Sequence, residues 1–244
     1  FSYETIGKQK SNVFWFTHIL SVTFSTIILF LMNAHPLIDL SQRVKEWHYE
    51  AIPFFIILCG STSIYGVYMT RIVTYSKRIL LFENQPILQL LIGSILLGIV
   101  LYFLPELYGS GYHTIAELTK ETNYVVEFAL LALFLVIIKP FTTGFTLKLG
   151  GDGGVFAPSI FAGACLGLLV GVLTKVYFMP DVIVLNFIIL GVAFTVAATL
   201  HAPFTAIFLT FGIFNSYVLW FPIVVLTFIS YLLSKKIYPY TVYT

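Results

Sequence analysis

The chain has 244 residues, 59% of them hydrophobic and 10% charged, with a mean hydropathy of +0.95. Soluble domains carry roughly 25% charged residues, so this composition excludes one and specifies an integral membrane protein. A formal net charge of +2, with its basic residues scattered rather than striped, excludes a nucleic-acid partner.

Apolar spans run from Val13 to Met32, Ala51 to Tyr68, Pro86 to Leu104, Tyr124 to Leu147, Val155 to Phe178, Val182 to Leu200 and Pro203 to Leu233. Most are long enough to cross about 30 Å of hydrocarbon as helices, and their continuous apolar character excludes the alternating pattern of a membrane barrel. The expected fold is all-α. Pro140 and Gly144, the His201-Ala202-Pro203 junction and Pro222 interrupt the later spans, so broken helices are expected. Cys59 and Cys165 lie inside apolar stretches, where a free thiol behaves as a small hydrophobe, and no disulfide is expected.

Lys8 and Lys10 precede the first span, Arg71, Lys77 and Arg78 share one connection, and Lys235 and Lys236 follow the last span. The positive-inside rule puts all three regions in the cytoplasm and turns the connections 33–50 and 105–123 outward. The chain opens on Phe1 rather than Met and closes just after an apolar segment, so it is expected to be a piece of a longer protein.

The most informative stretch is Lys148 to Gly171, a polar, glycine-rich break between two apolar runs. Lipid cannot satisfy exposed peptide groups, so irregular backbone at membrane depth survives only where protein or a water-filled cavity receives it. Gly150, Gly151, Gly153 and Gly154 let the chain turn closely, and the apolar run restarting at Val155 and Phe156 points a helix N-terminus into the break. Unpaired N–H groups and the positive dipole end make that terminus a seat for an anion.

From Lys139 to Gly167 the sequence reads KPFTTGFTLKLGGDGGVFAPSIFAGACLG, with the signature G-x-F-x-P as Gly154-Val155-Phe156-Ala157-Pro158. This run resembles the CLC family of chloride channels and chloride/proton exchangers, as do His201-Ala202-Pro203-Phe204-Thr205-Ala206 and Tyr238-Pro239-Tyr240-Thr241. The resemblance implies the broken, tilted helices of that family, with residues 1–244 as a carboxy-terminal portion of the membrane domain, the second repeat of an inverted-repeat architecture. It implies an anion site on Gly154, Val155, Phe156 and Pro158, with the phenol of Tyr240 donating to the ion. Chloride or a similar monovalent anion is the implied ligand, with no cofactor, and a homodimer in the lipid bilayer of the cell membrane is the implied assembly. The opening Phe1-Ser2-Tyr3-Glu4-Thr5 resembles the family's F-S-x-E-E stretch, whose second glutamate accepts protons in exchangers. Thr5 stands at that place, and a register shifted by one gives the role to Glu4.

Plainer readings compete at several positions. Gly163, Gly167 and Gly171, at four-residue spacing, are expected to bring helices together rather than to touch an ion. Asp152 reads as a solvated turn, since a carboxylate repels chloride. His201 reads as structural, having no metal-ligating partner at helical spacing, and His18 reads as packing. No H-E-x-x-H or G-x-S-x-G motif is present, so an enzyme is not expected. The rival function is a cation-coupled solute carrier. Such carriers generally need carboxylates within the membrane, whereas all eleven Asp and Glu lie in connections or at span edges, with Glu127 deepest.

Overall fold

The structure, a computed structural model, describes residues 47–78, 86–109, 111–120, 126–149 and 154–243, together with Leu20, Thr23, Phe24 and Ile27 in helical conformation. Eight α-helices follow one another among the described residues: α1 (Ile52–Arg78), α2 (Pro86–Phe103), α3 (Tyr112–Lys120), α4 (Val126–Lys148), α5 (Phe156–Tyr177), α6 (Val184–Leu200), α7 (Pro203–Phe214) and α8 (Trp220–Ile237). Short 3-10 turns at Tyr49–Ala51, Pro105–Leu107 and Tyr217–Leu219 join them. Four segments, Tyr49–Ser76, Val126–Lys148, Phe156–Tyr177 and Tyr217–Ile237, are long and apolar enough to cross a membrane.

The core is built around α6, whose residues from Val184 to Thr199 are all buried. A helix apolar on every face needs neighbours all round, and α1, α5, α7 and α8 supply them. Its most extensive contact is with α5, and glycine makes that contact possible. A Cβ on Gly163 would stand 2.5 Å from the Gly191 carbonyl oxygen, and one on Gly167 would overlap the Phe187 carbonyl. The four-residue glycine spacing therefore serves helix approach.

Pro140 and Gly144 do not split α4, which runs unbroken through both. Proline lacks the N–H that would bond the Val136 carbonyl, and one turn of backbone is supported from outside: Tyr68 donates its hydroxyl to the Ile137 carbonyl at 3.1 Å. Gly144 instead admits α1, since a Cβ there would lie 2.6 Å from Ser76 Oγ. Conversely, the span expected from Pro203 to Leu233 is two helices. The break falls at Asn215, left-handed at φ 49°, while Pro222 sits in the first turn of α8, where its missing N–H costs nothing.

The two ends of the molecule differ in charge. Phe54 against Phe178, Phe55 against Phe187 and Trp47 stacked on Phe221 gather the starts of α1, α6 and α8 with the end of α5. At the other end Arg71 lies 5.0 Å over the Tyr238 ring, and His201 meets Tyr231 edge-on. Arg71, Lys148, Lys235 and Lys236 lie at this second end, the start of α5 faces the same way, and the described carboxylates Glu50, Glu106, Glu117, Glu127 and Asp181 lie toward the first together with Lys120 and Lys175. Arg71 and Lys235 thus share one end of the molecule, as expected. Lys8, Lys10 and His18 lie outside the described residues, as does the connection 33–46.

Candidate anion site at the start of α5

Helix α5 begins without a capping side chain. Its N-cap is Val155, fully buried at φ −83°, ψ 0°, and among the described residues no side chain bonds the first-turn amides. Within that turn Ser159 N–H bonds the Val155 carbonyl at 3.0 Å, with the Ser159 hydroxyl on the same oxygen at 2.6 Å. The N–H groups of Phe156 and Ala157 have no intrahelical acceptor by helix geometry, and none among the described residues. Pro158 has no N–H to satisfy. The positive end of the dipole and two peptide donors thus converge where the chain leaves the glycine-rich turn. Helices α6, α7 and α8 also start without side-chain caps; α5 differs in what faces it.

A phenol and a cavity face it. Val155 N–H donates to Tyr243 Oη at 3.4 Å, and a Cβ on Gly154 would come within 2.8 Å of that oxygen, so glycine is what admits the ring. Because the phenol oxygen accepts from Val155, its own proton remains available to donate. Gly154, Ala157 and Pro158 also border a cavity of about 580 Å³ between α2, α4 and the Pro105–Leu107 turn. Its α4 wall is polar: Lys139, Thr142, Thr143 and Thr146 recur at helical spacing on one face.

The structure brings together Gly154, Val155, Phe156 and Pro158 of the expected site. Tyr240 lies elsewhere, 59% exposed and edge-on to Tyr238 with ring centroids 5.5 Å apart; the phenol at the α5 terminus is Tyr243, three residues on. Asp152, Glu4 and Thr5 lie outside the described residues. The connection from residue 105, at the end opposite Arg71 and Lys235, also packs against the core, burying Leu107 and Ile115, with Gly111 against Phe161. Sequence reasoning assigned no role to Tyr243 or Lys139. A lysine alone in the middle of an apolar span was the available signal for Lys139; for Tyr243 it was the repeat of tyrosine every two or three residues after Ile237, which leaves the choice of phenol to geometry.

The family described as Voltage gated chloride channel has a model that matches residues 1–235. The chain belongs to this family. Relatives of this family member include the H(+)/Cl(-) exchange transporter ClcA of Vibrio vulnificus (strain YJ016), 28% identical over 214 residues that make up 85% of this chain and 45% of that protein. An uncharacterized protein of Methanocaldococcus jannaschii is 35% identical over 154 residues, 62% of this chain and 36% of that protein. The chain thus spans about half the length of the curated relatives it matches, or less. Its fold is similar to the crystal structure of a slow cyanobacterial Cl−/H+ antiporter, with a TM-score of 0.64 at 18% identity, covering 91% of this chain and 52% of that one. Membership of a family of membrane channels makes the chain an integral membrane protein, in keeping with its four long apolar helices.

Proposed function

We propose that the protein to which this chain contributes moves chloride or a similar monovalent anion across the membrane, the ion resting on the start of α5. The Phe156 and Ala157 amides and the Tyr243 hydroxyl are the donors, with the Val155 amide polarising that hydroxyl. Neutral donors suit transport, because they hold an anion without the full cation that would trap it. The observation that carries this reading is the buried, uncapped start of α5 beside a cavity and a phenol. The names of the Vibrio relatives support the same anion. The cation-coupled carrier is not favoured, since the described carboxylates stand in connections or in the first turns of spans rather than at their middles.

On this reading residues 1–244 are a carboxy-terminal portion of a CLC-type membrane domain, working as a homodimer in the cell membrane, as channel or as proton-coupled exchanger. The test is uptake of radioactive chloride into liposomes bearing the full-length protein, with proton flux recorded in parallel. Chloride uptake that depends on Tyr243 and Phe156 supports the site. Uptake unaltered by Tyr243→Ala removes the phenol from the site, while Phe156→Ala keeps the amide and reports only on the ring. Proton movement at a fixed ratio to chloride identifies an exchanger, and its absence a channel.

A further inference from the structure

Besides the polar-walled cavity beside α5, a second cleft of about 270 Å³ lies between α2 and α4. Helix α4 turns Lys139, Thr143 and Thr146 to the first, and Ile138, Phe141 and Phe145 to the second, where Leu96 and Val100 of α2 complete an apolar lining. Leu96 and Phe141 are half exposed, so the rim faces the surroundings of a membrane-spanning helix, which are hydrocarbon. Leu149, the residue after Lys148, packs on Gly93, where a Cβ would overlap it, and ties α2 to the end of α4.

One end of this cleft is basic. Lys148, the last residue of α4, borders it together with Ser76 of α1, and α1 closes two residues later on Lys77-Arg78. The described carboxylates lie toward the opposite end of the molecule, so no described acid stands near these cations. From Ile138 to Lys148 the helix rises about 15 Å, half of a hydrocarbon core of about 30 Å and therefore the depth of one leaflet. Water gains nothing in an apolar cleft, and a cleft left empty forfeits the dispersion contacts of its lining. Apolar walls over one leaflet with cations at the headgroup end match an anionic amphiphile in both shape and charge.

We propose that the cleft between α2 and α4 is a binding site for one anionic phospholipid of the surrounding bilayer, its acyl chain between Leu96 and Phe141 and its phosphate on Lys148. The chain is held by burial of apolar surface and the headgroup by charge, so the two halves of the site are separable by substitution. The inference needs only a membrane around the protein, and its failure leaves the anion site at the start of α5 untouched.

The test is native mass spectrometry of the full-length protein in mild detergent with an equimolar mixture of phosphatidylglycerol and phosphatidylcholine. The parent is expected to retain phosphatidylglycerol in preference. Lys148→Gln is expected to lower the ratio of the two bound lipids about fivefold, and Lys148→Arg to keep it within about twofold of the parent. Leu96→Trp, which fills the cleft from its rim, is expected to remove one retained lipid per chain, whereas Ile95→Trp, on an exposed position outside the cleft, is expected to remove none. Equal ratios for the parent and Lys148→Gln overturn the proposal. So does a Leu96→Trp protein that retains as many lipids as Ile95→Trp, the result if another part of the full-length chain fills the cleft. Should Leu96→Trp aggregate, the Lys148→Gln ratio decides alone.

Discussion

The middle of α5 and the approach to its start use glycine in opposite ways. Around Gly163 and Gly167 the helix presses its backbone against α6, where an added Cβ would meet a carbonyl oxygen. At Gly154 the same residue type clears space for a phenol next to an uncapped helix start and an open cavity. The first arrangement makes α5 a rigid post; the second exposes the donors that post positions. An anion site made of peptide dipoles has no side chains to re-aim, so its geometry is only as good as the helix that carries it.

The largest expected effect breaks the packed region. Gly167→Val would drive its side chain into the Phe187 carbonyl, a clash of backbone that no rotamer relieves, and should cost more than about 3 kcal/mol. Size-exclusion chromatography in mild detergent is expected to show aggregated protein. Gly212→Ala is the control: nothing lies within 4 Å of its Cβ, and a slight gain in helix stability of about 1 kcal/mol is expected. A stable Gly167→Val protein would show that the α5–α6 contact is looser than drawn.

At the open end, removing one hydroxyl sharpens the comparison. Tyr243→Phe should weaken chloride binding in calorimetric titrations by about tenfold or more, the usual worth of a hydrogen bond to a charged partner. Tyr240→Phe should change it less than about twofold, because that ring leans on Tyr238 instead. The reverse pattern would return the donor role to Tyr240.

Between the two regions stands α4, held through its proline by Tyr68. Tyr68→Phe leaves the Ile137 carbonyl without that donor, and thermal unfolding should report a loss of about 1 kcal/mol. An unchanged melting temperature would mean that the helix tolerates Pro140 unaided.

The smallest effect concerns pH. His201 closes α6 in a left-handed conformation at φ 54°, beyond the helix that spans the core. Burial, and secondarily the charge of Lys235, hold its pKa below the usual value. The folded state therefore resists protonation while the unfolded chain accepts it near pH 6.5. Stability contributed by the neutral ring is present above that pH and is lost as pH falls through it. His201→Asn keeps a residue suited to the left-handed region, and its melting temperature should drop less than the parent's between pH 7.5 and 5.5. Equal drops would assign the slope to other groups.

Much of this was legible in the residues. Apolar length marked the spans, and the four-residue spacing of Gly163 and Gly167 marked a close helix contact. The break at Gly154-Val155 marked the start of a helix, which falls at Phe156. Less legible was whether a proline breaks a helix, since that depends on whether a neighbour such as Tyr68 supports the backbone beside it. The left-handed turn at Asn215 is marked in the sequence only by the polar pair Asn215-Ser216, a short gap inside an otherwise apolar run. Which of several nearby tyrosines reaches Val155 depends on the path of the chain after Ile237, and local sequence does not encode that path. The packing of residues 105–120 against the core was hidden for the same reason: its anchor, Lys139, bonds the Leu107 carbonyl from another helix.

The central claim is that peptide and phenol donors at the start of α5 hold the anion. Crystals of the full-length protein grown in bromide test it through anomalous scattering. The expected result is a bromide peak within hydrogen-bonding reach of the Phe156 amide and Tyr243 Oη. First-turn amides of α5 bonded to protein carbonyls, with bromide elsewhere or nowhere, would contradict it.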